Sequence, residues 1–146
     1  MLKRLGRKLK DQRGLTLIEL LAVVVILGII AAIAVPSIGG LIDNSRRDAH
    51  IANAQQMVSA ARLAMTANEL GEDSSITLEE LIDDGYLEPV EDPSGAGYDE
   101  DASLVTIGEN NGNPTYNVTL IEDGGGVTYI DEENPGDLTR DGITLE

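Results

Sequence analysis

Few residues in this 146-residue chain are equipped to do chemistry, and they lie far apart. Glu19 is a lone carboxylate inside an apolar run from Leu15 to Val35. Held unpaired in hydrocarbon, such a charge costs on the order of a few kcal/mol or more, so it calls for a cation nearby. The single histidine, His50, sits beside Arg47 and Asp48 in a helical pattern and reads as a solvated helix residue. No nucleophile–base pattern, phosphate-cradling glycine loop or zinc spacing accompanies it, so enzyme activity is not expected. Asp131, Glu133 and Asp137, in Asp131-Glu132-Glu133-Asn134-Pro135-Gly136-Asp137, are hard oxygen ligands of the kind that suit calcium. The run does not match an EF-hand loop, and its plain alternative is a solvated acidic turn. Asn117-Val118-Thr119 satisfies the N-glycosylation sequon, with an outward-facing strand asparagine as the alternative.

Composition narrows the rest. Residues 1–14 hold six basic side chains against Asp11 alone, whereas from Leu15 onward four arginines face 25 acids, a balance of −21. No lysine follows Lys10. So acidic a body lacks the Lys/Arg surface that grips phosphates, and direct nucleic-acid binding is not expected. It suits high solubility or a salty medium. The absence of cysteine excludes disulfides and thiolate metal sites.

Four stretches must position these residues. The first is a basic leader, 1–14, and the second an apolar helix, 15–36. At 21 residues the run Leu15–Val35, broken by the one charge at Glu19, reaches about 30 Å as a helix, enough to cross a hydrocarbon core. The positive leader places the N-terminus in the cytoplasm and the remainder outside. The third stretch, 37–70, spaces Ile51, Ala54, Val58, Ala61 and Met65 as one helical stripe, with Ala49, Ala52, Ala60 and Ala64 beside it. As a single rod, Leu15–Leu70 would be roughly 84 Å long. The fourth, 71–146, is an acidic head. Thr77 and Glu80 predict a capping box before a short helix, with Gly85 at its end. After a loop over 86–100, Leu104–Ile107, Thr115–Ile121 and Val127–Ile130 predict an antiparallel meander. Asn110-Asn111-Gly112 and Gly124-Gly125-Gly126 supply its turns, and Ile143–Leu145 is a candidate fourth strand. The fold expected is α+β, a long N-terminal helix packed on a small antiparallel sheet of three or four strands.

Arg13-Gly14-Leu15-Thr16-Leu17-Ile18-Glu19 and the apolar run behind it resemble the N-terminal signature of type IV prepilins and type II secretion pseudopilins. The likeness is close over residues 1 to about 40. It implies that a prepilin peptidase cuts after Gly14 and that the new N-terminus, Leu15, is N-methylated. Phenylalanine is usual at that place, so Leu15 departs from the pattern. The resemblance also implies that Glu19 pairs with the amine of an adjacent subunit as a membrane platform and its ATPase assemble a helical homopolymer. Gly28 and Pro36 stand where pilins have helix-weakening residues, and unwinding between them in the filament is implied. The alternative for Glu19 is a first-turn carboxylate favoured by the helix dipole.

Within the family, a type IV pilus subunit and a major pseudopilin of a secretion or competence apparatus are both open. Gly85-Tyr86-Leu87-Glu88-Pro89 and Asp92–Tyr98 resemble the loop of major pseudopilins and of some disulfide-free pilins. Outside the family stand a secretory signal peptide cut after Ala32-Ile33-Ala34 and an uncleaved anchor carrying an acidic domain. Glu19 within the apolar run, and the length of that run, speak against the signal peptide.

Overall fold

The computed structural model describes residues 2–67, 71 and 73–145, with residues 2–15 described in their backbone alone. The chain divides into two compact units, residues 1–42 and 43–146. A single helix, α1 (Leu2–Thr66), supplies the first unit and the opening element of the second.

In the first unit α1 continues through Gly28 and Pro36 without a break. Pro36 lies inside the helix, where it leaves the carbonyl of Ala32 without its N–H partner and crowds it with the ring, at a cost of about 3 kcal/mol. Every large apolar side chain from Leu17 to Ile42 is at least 47% exposed. The best 18-residue window has a mean hydropathy of 3.0, long and apolar enough to cross a membrane.

In the second unit α1 lays its alanine-rich face on a sheet. Ala54, Met57, Val58, Ala60, Ala61 and Ala64 are buried, and Ile51 and Met65 pack at the margin. The predicted stripe is therefore the core-facing one, widened by Met57. The helix ends at Thr66 rather than Leu70, and residues 68–70 lie outside those described.

The sheet is a four-stranded antiparallel meander: β1 (Ser74–Thr77), β2 (Leu104–Asn110), β3 (Asn113–Ile121) and β4 (Thr128–Glu133), paired in that order. The α+β expectation holds. The fourth strand, however, is β1 and not Ile143–Leu145. The polar segment Ser74-Ser75-Ile76-Thr77 carries almost no strand signal, but pairing with β2 buries Ile76 beside Val105. At the C-terminus a 3-10 turn, Arg140–Gly142, precedes Ile143, which is buried as a plug, and Thr144 donates one hydrogen bond to the Tyr129 carbonyl. That single bond makes no ladder.

Local chemistry sets the connections. Thr77 Oγ1 accepts from Glu80 N and Glu80 Oε2 from Thr77 N, which starts α2 (Leu78–Asp83). Gly85, at φ +76°, ends it: Gly85 N–H reaches the Ile82 carbonyl and Tyr86 N–H the Leu81 carbonyl, a Schellman closure. Asn111 and Gly112, both at positive φ, form the two-residue turn between β2 and β3. Alternation along β2 and β3 buries Val105, Ile107, Tyr116, Val118 and Leu120 against α1. Burial of Leu81, Val105, Ile107, Val118 and Leu120, each 0% exposed, contributes about 1.5–3 kcal/mol apiece relative to exposure.

β4 breaks the alternation. Between its pairings with Ile121 and Leu120 it carries one extra residue, Tyr129, and between Leu120 and Val118 it carries another, next to Glu132 at φ +51°. Bulges of this kind re-aim side chains. Here they bury the consecutive residues Tyr129 and Ile130 together.

Candidate functional site

Gly14 and Leu15 fall on the backbone of α1, and the side chain of Leu15 lies outside those described. Glu19 is exposed one helical turn further on. Around it Leu17, Ile18, Leu20 and Leu21 are 62–68% exposed, so the carboxylate interrupts an otherwise continuous apolar surface. That surface extends to Ile42, far beyond what a monomer leaves in water. The segment needs lipid or apolar helices around it, and its one charge needs a cationic partner. Gly28 adds no side chain, and nothing lies within 4 Å of where one would start.

The other sequence candidates are not brought together. Asp131 and Glu133 are exposed on β4 and Asp137 in the turn beyond it. Among the described residues no group of three His, Cys, Asp or Glu side chains converges as a metal site would. Asn117 is half-buried on β3, on the sheet face opposite the core and opposite Thr106 of β2.

One cluster escaped sequence reasoning. His50 is not solvated: it is 0% exposed, enclosed between α1, the loop after α2, and β4. Its ring stacks on Tyr129 at 4.1 Å and meets Tyr98 edge-on. Nδ1 lies 2.8 Å from Tyr98 Oη and Nε2 3.1 Å from Ser94 Oγ. Asn53 Nδ2 donates to the Glu91 carbonyl and to Tyr98 Oη. Since Glu91 offers only a carbonyl there, the amide nitrogen must be the atom facing it. Among the described residues Nδ1 is the one acceptor within reach of the Tyr98 hydroxyl hydrogen, which assigns the Tyr98 proton to Nδ1. Nε2–H then donates to Ser94.

Asp92 anchors the loop. Its side chain, 1% exposed, accepts from Ser94 N on Oδ1 and from Ala96 N, Gly97 N and the Tyr129 hydroxyl on Oδ2. Positive φ at Gly95 and Gly97 lets those amides converge on one carboxylate. Burial pushes the Tyr98 phenol well above its ordinary range. It also lifts Tyr129 to about 12, helped by the hydrogen bond to Asp92. Burial depresses His50, opposed by the Asp92 carboxylate 3.7 Å away and reinforced by Arg46. The only advance signal was that His50 and Tyr98 occupy one helix and one Gly-rich loop, which does not by itself bring them into contact.

Arginines fasten the C-terminal segment. Arg47 donates to the carbonyls of Arg140 and Ile143, and Arg140 holds Asp48 through two bonds of 2.6 Å. Arg62 lies over the Tyr116 ring. These are structural contacts of the head.

No curated protein and no solved structure matches the chain. Residues 9–35 match the family model described as the prokaryotic N-terminal methylation motif, spanning the leader end, Gly14, Leu15, Glu19 and most of the exposed apolar helix. The chain thus carries the N-terminal methylation motif of type IV pilin-like precursors, set on a helix long and apolar enough to cross a membrane.

Proposed function

We propose that the chain is a prepilin whose mature form polymerises into a type IV pilus. The observation that carries this is the exposed apolar surface from Leu17 to Ile42, whose one charge is Glu19 and which follows the basic leader and Gly14. A prepilin peptidase cuts after Gly14, where the absent side chain eases entry into a tight active site, and Leu15 is N-methylated. The freed amine lies four residues before Glu19, so the Glu19 carboxylate of one copy can neutralise the Leu15 amine of its neighbour. As an ATPase-driven platform extracts the subunit, residues 15–36 exchange lipid for the apolar helices of other copies. Lost helical hydrogen bonds near Gly28 and Pro36 would let those helices pack in the polymer.

Two measurements test the reading. The mature chain should begin at Leu15 by mass, against Val35 for a signal peptide and Met1 for an uncleaved anchor. Glu19→Ala should leave that cleavage intact and abolish or sharply reduce extracellular filaments. Filaments at wild-type yield from this variant would sink the pairing.

A second reading, a major pseudopilin, rests on the likeness of the Gly85–Pro89 and Asp92–Tyr98 segments to the loop of major pseudopilins, a likeness that some disulfide-free pilins share. Deleting the gene would then stop protein secretion or DNA uptake while leaving surface pili in place.

A further inference from the structure

The hydrogens around His50 run one way. Asn53 donates to Tyr98, Tyr98 to His50 Nδ1 and His50 Nε2 to Ser94, while beside them Tyr129 donates to Asp92. The direction of this chain is set at its start, by the Glu91 carbonyl that orients Asn53. A neutral ring fits it, with one nitrogen accepting and the other donating. A doubly protonated ring does not. Its new N–H would confront the Tyr98 hydroxyl, whose oxygen already accepts from Asn53 and which, among the described residues, has no second acceptor.

The charges facing the ring do little to accommodate a cation. From α1 comes Arg46, one turn before, which repels it; Asp48 is taken up by Arg140 at the surface. From the loop comes Asp92, at 3.7 Å outside hydrogen-bonding distance and already accepting four bonds. From β4 comes the face of the Tyr129 ring. No water reaches the buried imidazole, and an imidazolium held there loses its hydration.

We propose that His50 is a proton-operated latch, fastening the 91–98 loop to α1 while neutral and releasing it when the ring takes a second proton. The loop is built to let go. It is tied to α1 through Asn53 and His50, and Gly95 and Gly97 lie within it. Release is from α1: the three backbone amides on Asp92 keep the turn itself together, and the bonds from Tyr129 to Asp92 and from Asp123 N to the Gly97 carbonyl keep it hinged on the sheet, while His50 and Tyr98 become accessible. The sign follows from the depressed pKa: the folded ring binds fewer protons than the unfolded chain. The fastening is thus complete above the ordinary histidine value of 6.5 and is lost as pH falls below it. The latch concerns the head alone and does not depend on the filament reading.

Because the chain has one histidine, its titration is read without assignment. The full chain in detergent micelles is followed from about pH 8 to about pH 5 by histidine NMR and by hydrogen exchange of the 91–98 segment. Expected are a His50 midpoint below 6.5 and, after correction for intrinsic rates, a loss of protection of at least about tenfold across that midpoint. A midpoint at or above 6.5, or protection unchanged through it, overturns the latch. His50→Gln should abolish the acid-dependent step. Arg46→Gln, an exposed change that spares the fold, should raise the His50 midpoint and move loop release with it. Release that stays put while the midpoint moves would also overturn the proposal.

Discussion

Replacing Asp92 by alanine removes the acceptor of four hydrogen bonds at once. The consequence differs by donor. Ala96 N–H is exposed and turns to water at little cost, whereas Ser94 N, Gly97 N and the Tyr129 hydroxyl are partly shielded. Bonds to a charged acceptor contribute about 1.5–3 kcal/mol each when shielded. The three shielded ones would then total roughly 4.5–9 kcal/mol, from which the cost of burying the carboxylate itself, several kcal/mol, must be subtracted. A net loss of about 3 kcal/mol is expected. Asparagine is milder: its oxygen can keep the three donors on the Oδ2 side, while its amide meets Ser94 N–H donor to donor. Its loss should be about 1–2 kcal/mol. The assay is urea unfolding of the soluble fragment beginning at Asp43, which contains every buried residue of the core. With a slope of about 1.5 kcal/mol/M, Asp92→Ala should lower the midpoint by about 2 M and Asp92→Asn by about 1 M. Glu91→Gln, whose exposed side chain is outside the cluster, should leave it unchanged. An Asp92→Ala midpoint within about 0.5 M of wild type would refute the view that this carboxylate organises the loop.

Two further outcomes are expected of the same fragment. Thr77→Ala and Glu80→Ala should each destabilise by about 1 kcal/mol in urea unfolding, and the double variant by less than their sum, since each bond of the capping box orients the other. At alkaline pH, Tyr98 and Tyr129 keep their protons in the fold beyond the ordinary phenol value of 10, while the unfolded chain releases them. The folded state then binds more protons, and stability should fall between about pH 10 and about pH 12. Tyr129→Phe should flatten that fall in urea midpoints taken across the range.

The features legible in the sequence are those fixed by neighbours along the chain. A capping box needs Thr77 and Glu80 three residues apart, the α2 stop needs Gly85, and the β2–β3 turn needs Asn111-Gly112. The core stripe of α1 and the alternation of β3 follow from 3.6- and 2-residue periods. The apolar span and Glu19 are likewise set by composition over one helix length. Tertiary structure decided what depends on partners far away. β1 exists because β2 offers it a ladder and Ile76 a place in the core, not because Ser74-Ser75-Ile76-Thr77 favours a strand. Ile143 plugs the core instead of continuing the sheet. The bulges in β4 turn Tyr129 inward, and only then does His50 gain a stacked ring on one side and, from 44 and 48 residues away, Ser94 and Tyr98 at its nitrogens. The charged and polar pattern around His50 is that of a surface helix. It is the loop folded over it, drawn together by the Asp92 carboxylate, that excludes water and makes the imidazole a buried group.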